Sequence, residues 1–577
     1  MITIQKGAIN MKKKLIYLLA STLVTTTVLF GCGSSNNENA VESSNKNVKS
    51  NQTEIFEATD PSKNPEKAKN RKDTFIAAIA SPGGVFLPFF YENGWDGNAT
   101  SPIFDSLVGR DLEGKAIGRL AETWSISSDE LVYTFNIRKD AKFSDGTPVT
   151  ANDVEFTLTL LHDPSYTGST DITTSYIKGG EDYKKGTATE VSGIKVKDEQ
   201  TIEITTEKIN AQNLFSLGGS VLSKSYYGKE YKKGNVEYLK ELYSKPMGAG
   251  PYKFVKYVPG QEINYVANEN YYDGKPNVEN LIYKVTTKAT NFQQFQNGEI
   301  DYDGFTASDE SVEELKSLGF ANIRVATTNT YSYIYMNNKK DHLKETEVRQ
   351  ALIYGLDREK VVKIKFKGYG QVANVPVSPL SWAYSEEGVN KYEYDLEKAK
   401  KILEDAGWIA NSNGIREKNG VKLELKYLTT KGDEEFITIA KENYKELGVE
   451  FNAEIMDFNA LVSNLKKGEY DLAAVRTSML SDPDESVADF SSTYDGNYSG
   501  YSNAKVDELL KEGTSSTDIQ KRAVAYKELY KELSNDPPVI LISYSKGVSA
   551  YNSRIENFEI SGYTGISDGL NKVKIKE

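Results

Sequence analysis

The chain has 577 residues, a formal net charge of −12, one cysteine and two histidines. A single cysteine excludes an internal disulfide framework, two histidines 180 positions apart offer no zinc-like spacing, and an acidic balance disfavours nucleic acid as a partner. So long a chain exceeds what one hydrophobic core supports, and two or three lobes are expected.

Lys12, Lys13 and Lys14 precede an uncharged run of 16 residues, Leu15 to Phe30. A basic start and a short apolar middle make a secretory signal, too short for a membrane span of about 20 residues. Met11 reads as the true start, which leaves 1–31 as the signal segment. The run ends at "LFGC", where the lone thiol, Cys32, falls. The stretch resembles a lipobox, in which cleavage precedes the cysteine and the thiol takes up diacylglycerol, although Phe30 is bulkier than the usual residue there. Removing Lys6, Lys12, Lys13 and Lys14 would take the formal charge from −12 to −16. Acyl chains contribute roughly 0.8 kcal/mol per buried methylene, so two or three of them hold a protein firmly to a bilayer. Residues 33–72 are rich in Asn, Ser, Lys and Glu. With Cys32 they read as a disordered tether, 32–72, that stands the folded part off the membrane.

Folded structure is expected from "DTFIAAIA", a strand at 73–80. A Gly/Pro/aromatic loop follows. In "LVYTFNIRKDAKFSDGTPVTANDVEFTLTLL" a strand gives way to a turn at Asp145-Gly146. Thr150 then caps a helix, with Asp153 as its capping-box partner. "VSGIKVKDEQTIEITT" reads as a hairpin, and residues 247–287 carry three more strands. Further on, Asp357 caps a helix, and "YDLEKAKKILEDAGW" is a helix from Asp395 to a Gly407 stop. "DIQKRAVAYKELYKELSNDPPVILISY" is a helix, a turn and a buried strand. The fold class is α/β with crossing connections.

Few reactive groups are available. His162 and His342 read as surface residues. No G-x-S-x-G and no G-x-x-x-x-G-K-[ST] loop occurs, so ATP hydrolysis by this chain is not expected. The acidic stretch "DPDESVADF" (Asp482, Asp484, Glu485, Asp489) lacks the spacing of a calcium loop. It reads either as a solvated, helix-capping loop or as a carboxylate facing a ligand. Its 37 tyrosines suit either core packing or a binding surface. A glycosidase-like pair of carboxylates has no local pattern in its favour.

Several segments taken together resemble family 5 extracellular solute-binding proteins, the peptide-type receptors of bacterial ABC importers. They are "LAETWSISSDELVYTFNIRKDAKFSDGTPVTANDVEFTL", "GAGPYKFVKYVPGQEINYVANENYYDGKP", "FQNGEIDYDGF", "VRQALIYGLDREKVV", "YDLEKAKKILEDAGW" and "NYSGYSNAKVDELLKEG", in the order that the family uses. The resemblance implies a two-lobed periplasmic-binding-protein-like fold (type II, cluster C) with a hinged ligand cleft. Lobe I would comprise 73–108, 245–325 and 545–577, with a subdomain inserted at 109–244, and lobe II would span 326–544. It implies a monomer on the extracytoplasmic face of the cell membrane, not an enzyme, without cofactor or metal. The partners implied are a peptide ligand and the permease and ATPase subunits of an importer. The ligand-facing residues implied are Val85, Phe86, Leu87 and Trp95 in lobe I. In lobe II they are Trp382, Tyr384, Arg476, Thr477, Ser478 and Met479, with Asp482 and Asp484. The family's amine-binding Asp lies three residues before the "DP" pair, where this chain has Met479. That clamp is missing or is supplied from elsewhere, by Asp482 or Asp484, and this leaves a non-peptide solute such as an oligosaccharide open. A membrane-anchored hydrolase is the remaining alternative. On the lipobox reading, Cys32→Ser should move the protein from the detergent phase to the aqueous phase in Triton X-114 partition. An unchanged distribution would refute lipid anchoring through this thiol.

Overall fold

The computed structural model describes residues 53–91, 93–112, 114–478, 482–494 and 496–576. The signal segment and Cys32 lie outside the described residues. The chain divides into two compact units. One holds the residues up to Thr306, Glu310–Ala326 and Gly547–Glu577, and the other holds Ala307–Asp309 and Thr327–Lys546. Two long strands, Ala321–Met336 and Val539–Asn552, therefore begin in one unit and end in the other.

In the first unit, Thr74–Ile79 runs parallel to Asn280–Val285 and, at Ala77, to Tyr302–Phe305. Glu262–Ala267 pairs antiparallel with Asn280–Val285 on one side and Tyr252–Val258 on the other. Alternation of buried and half-exposed residues along these strands puts Phe75, Ile263, Tyr265, Leu281 and Tyr283 into one core. A separate four-stranded antiparallel sheet, ordered Ala121–Ile126, Val132–Ile137, Thr201–Thr205, Ile194–Val196, packs with the helix Ala151–Leu161 around its own core. That helix starts as its sequence predicts, since the Asp153 carboxylate accepts the Thr150 backbone N–H at 2.8 Å and completes a capping box.

The second unit has parallel strands Glu424–Thr429 and Glu450–Ile455 and a parallel neighbour, Leu472–Ser478. Leu472–Ser478 pairs antiparallel with Thr330–Met336. Helices cover this sheet, and the predicted caps are present. Asp357 accepts the Lys360 N–H and Asp395 the Lys398 N–H. Gly407, at φ +87, takes the left-handed turn that ends the second of these helices.

Two expectations are corrected. Residues 53–72 are not a tether. Glu54–Phe56 is a strand paired with Ile323–Val325, the Ala58 N–H reaches the Asn322 side chain at 2.9 Å, and the Asp60 N–H reaches Gly319 O at 2.8 Å. A polar segment can hold its place when a free strand edge supplies main-chain partners, which composition does not register. His162, expected at the surface, is buried at the end of its helix, where its Nδ1 donates to Leu158 O at 2.8 Å.

The first unit is locked by one fully buried carboxylate. Asp301 accepts from Arg554 Nε at 2.9 Å and Nη2 at 2.8 Å, from Arg71 Nη2 at 3.0 Å, and from the Ile76 N–H at 2.9 Å. Asp301→Ala would strand two guanidinium groups. It should destabilise the protein by about 3–5 kcal/mol in urea or thermal unfolding, and a loss below about 1 kcal/mol would show that the network carries little of the unit's stability.

Candidate functional site

In the first unit the loop after Thr74–Ile79 folds around a carboxylate. Asp96, buried near the start of the helix Gly94–Thr100, accepts the Gly84 N–H at 2.8 Å and Asn93 Nδ2 at 2.6 Å. Burial nevertheless pushes its pKa up against those bonds. Gly84 sits at φ +96, and a Cβ on Gly83 would come within 2.9 Å of Asp96 Oδ2, so the glycine pair lets the backbone wrap the carboxylate.

This arrangement sorts the four candidates on that loop and helix. Phe86 and Leu87 are 0 % exposed, and the Phe86 ring meets Tyr257 edge-on at 5.0 Å. The Phe86 N–H is bonded to Tyr243 O at 3.0 Å. Both side chains are core packing, a correction to their expected ligand contact. Val85 and Trp95 are half-buried, packed on one side against the same core.

In the second unit, Trp382 is half-buried, with its ring 5.7 Å from Tyr526 and the Arg522 guanidinium 4.9 Å from its centroid. Arg522 in turn forks onto Asp482, with Nη1 donating to Oδ2 at 2.8 Å and Nη2 to Oδ1. Both side chains are nearly inaccessible. Burial acts to raise the Asp482 pKa, but hydrogen bonds from Asp484 and Arg522 outweigh it and hold the carboxyl below its usual range. Asp482 also caps the helix Pro483–Val487 through the Asp484 N–H. It is therefore committed to a structural ion pair, and the expectation that it clamps a ligand amine is corrected. Asp484 is half-buried beside it. Tyr384 donates to Glu386 Oε1 at 2.7 Å, with its ring 6.0 Å from Tyr544. Arg476, Thr477 and Ser478 end the strand Leu472–Ser478, in register with Ser332, Tyr331 and Thr330. Met479 lies outside the described residues.

Asp489 was visible in sequence only as one member of an acidic stretch. Tyr335 donates to its Oδ2 at 2.6 Å and Tyr333 at 3.2 Å. The two tyrosines stand edge-to-face at 5.1 Å, Tyr331 stacks on Tyr333 at 5.4 Å, and Tyr498 meets Tyr335 at 6.5 Å. The signal for this cluster was the period of two in "TYSYIYM", which puts three tyrosines on one face of a strand. Asp489 is half-buried. Loss of solvent around its carboxyl pushes the pKa up to about 6, against the two tyrosine bonds, which favour the ionised form.

Among the described residues, no group of three or more His, Cys, Asp or Glu could hold a metal ion, and no helix is long and apolar enough to cross a membrane. Comparison with known proteins places the chain in a class. The model described as bacterial extracellular solute-binding proteins, family 5 Middle, matches residues 115–499. That is more than half of the chain, which therefore belongs to this family. It is 29 % identical over 560 residues to "Oligopeptide-binding protein AppA" of Bacillus subtilis (strain 168), covering 95 % of this chain and 96 % of the relative. It is 28 % identical over 523 residues to "Heme-binding protein A" of Haemophilus influenzae, covering 85 % and 91 %. Among solved structures, AppA from Bacillus subtilis in complex with a nonapeptide is similar at 26 % identity and a TM-score of 0.69, covering 88 % of this chain and 99 % of that one. NikZ from Campylobacter jejuni in complex with Ni(L-His) is similar at 25 % identity and a TM-score of 0.71, covering 87 % and 99 %. The mixed α/β fold is that of these family 5 binding proteins.

The Asp489 pKa fixes the sign of a pH effect. Its folded value lies above the ordinary 3.8, so this group's contribution to stability is complete below about pH 4 and is lost as pH rises through about 6. Asp489→Asn should raise the melting temperature at pH 7 and shrink the gain that the wild type shows between pH 7 and pH 5. Asp303, also raised to about 6 by burial, keeps its share in both proteins. Parallel pH profiles for the two proteins would contradict the assignment.

Proposed function

We propose that this family 5 protein is a lipid-anchored extracytoplasmic receptor that captures oligopeptides and passes them to the permease of an ABC importer. The observation that carries the reading is end-to-end similarity to an oligopeptide-binding relative, over 95 % of this chain. A chain of two compact units, joined through strands that continue from one into the other, fits the role. Closure by a hinge needs few covalent crossings, and here they fall at 326/327 and 546/547, with the short excursion Ala307–Asp309. A solute shifts such an equilibrium only by as much as it prefers the closed form. An extended peptide held by its main chain adds affinity without demanding particular side chains. The end of Leu472–Ser478 offers main-chain groups for that purpose. Val85, Trp95, Trp382, Tyr384, Arg476 and Thr477 remain the candidate contacts on this reading, with Arg476 suited to a ligand carboxylate. The receptor acts as a monomer and binds without turnover.

A second reading, a non-peptide solute, draws support from Met479 at the position of the family's amine-binding Asp and from the heme-binding relative. Thermal shift separates the two. A ligand at about 100 times its dissociation constant stabilises by about 2.7 kcal/mol, so mixed peptides of four to nine residues should raise the melting temperature. A shift with oligosaccharides or heme, and none with peptides, would overturn the peptide reading. Cleavage of added peptide or glycoside at an enzymatic rate would overturn the receptor reading itself.

A further inference from the structure

Six arginines are buried among the described residues. Five of them are paired. Arg349, Arg416, Arg522 and Arg554 reach the carboxylates of Asp536, Glu404, Asp482 and Asp301. Arg358 donates to the carbonyls of Ala373, Leu541 and Tyr392. The sixth, Arg324, differs. It is 1 % exposed, and among the described residues its Nε, Nη1 and Nη2 all lack a hydrogen-bond partner. Burial lowers its pKa to about 9, which still leaves the group charged at neutral pH. A buried donor set without partners calls for water or an ion. Water would satisfy the N–H groups but would not neutralise the charge, and a buried charge without a counterion is costly.

Strand register shows what stands beside it. Arg324 lies on Ala321–Met336, opposite Ile55 of the strand Glu54–Phe56. Its other neighbour is Val539–Asn552. There the Ser553 N–H bonds Phe320 O, and Thr328 meets Ser545. Both contacts keep one register, which puts Arg324 opposite Ser549. Ser549 is in turn opposite Gly304, and Tyr551, one step along the same face, is opposite Tyr302. Both tyrosines bear on the titration of Arg324. The row through the guanidinium thus ends in a serine and a glycine, so no bulky side chain of that row competes for the space beside it. Three hydroxyls, from Ser549, Tyr302 and Tyr551, share the face with the cation.

We propose that the first unit holds one small monovalent anion, a halide such as chloride, on the guanidinium of Arg324 beside Ser549, Tyr302 and Tyr551. One guanidinium supplies one positive charge, which a single halide matches and a multivalent oxyanion exceeds. A halide also accepts N–H and O–H donors from any direction, so it needs no further geometry from the hydroxyls. Every residue of the site belongs to the first unit, and Arg324 sits two residues before its strand crosses at 326/327. The inference does not rest on which solute the protein carries.

Melting curves of the full chain in detergent, in sodium chloride and in sodium gluconate at equal ionic strength, test it. The wild type should melt higher in chloride by about 2–4 °C. Adding chloride to the gluconate buffer should give a rise that saturates, as one-site linkage requires. Arg324→Met, which keeps a long side chain and removes the charge, should melt at one temperature in both salts. In gluconate it should melt above the wild type, whose buried charge is then unpaired. Arg324→Lys, which retains a cation, should retain part of the chloride effect. Crystals soaked in sodium bromide should show an anomalous peak within hydrogen-bonding reach of the guanidinium. Equal melting of the wild type in the two salts would overturn the inference. So would a chloride effect of the same size in Arg324→Met, which would mark a general salt effect. A bromide peak without salt-dependent melting would mean an adventitious ion only, and would overturn it too.

Discussion

Asp301 is the point on which the first unit depends. Its two oxygens gather Arg71 from the N-terminal segment, Arg554 from the C-terminal return and the main chain of Ile76. Two guanidinium groups around one carboxylate leave donors in excess, and these go to carbonyls: Arg71 to Gly298 O, Arg554 to Thr74 O. Apart from Arg71 Nε, the guanidinium nitrogens of the cluster are thereby paired, and close pairing is the condition for a buried ion cluster to stabilise rather than cost. The cluster also fixes the first-unit ends of the two shared strands. The Asn552 N–H bonds Asp301 O at 2.8 Å and the Ser553 N–H bonds Phe320 O at 3.0 Å, so Ala321–Met336 and Val539–Asn552 leave the first unit from one common anchor. Because the pieces are hundreds of residues apart, the anchor forms only after long loop closures, which favours slow assembly of this unit.

At their far ends the same strands are held differently. In the second unit Thr328, Thr330 and Ser332 meet Ser545 and Ser543 through hydroxyl contacts, such as Ser332 to Ser543 at 2.7 Å and Thr328 to Ser545 at 3.0 Å. A hydroxyl has one donor and two acceptor directions and turns freely to use them. Such a ladder keeps its hydrogen bonds through a change of strand twist that would open gaps between interlocked branched side chains. Anchored at one end by ions and at the other by rotatable hydroxyls, the shared strands combine a fixed origin with an adjustable continuation.

What could be read from sequence follows the range of the interaction. Caps act over three or four residues, and Thr150–Asp153, Asp357 and Asp395 were legible for that reason. Strand periodicity was legible too, as in the hairpin of Ile194–Val196 and Thr201–Thr205. The strand Glu54–Phe56 was not, because its partners lie more than 260 residues away and its own composition is that of a linker. Nor was the burial of His162, which depends on a carbonyl one turn back and on what packs around the helix end. Phe86 and Leu87 show a different difficulty. A Gly/Pro/aromatic loop announces a tight conformation, but not which of its apolar side chains turn inward.

The acidic stretch 482–489 carries that point to its sharpest form. Four carboxylates stand within eight residues, and nothing local separates them. The fold does so by where it places cations. Arg522, 40 residues away on the helix Ile519–Asn535, takes Asp482 and turns it into a cap and an internal ion pair. Asp489, seven residues on, accepts from the hydroxyls of Tyr333 and Tyr335. A carboxylate that the chain neutralises belongs to the architecture. One held by neutral donors, as Asp489 is by Tyr333 and Tyr335, is raised by burial instead, at a cost that rises with pH. The difference between the two ends of this segment is thus set by what each carboxylate meets in the fold, not by the acids themselves.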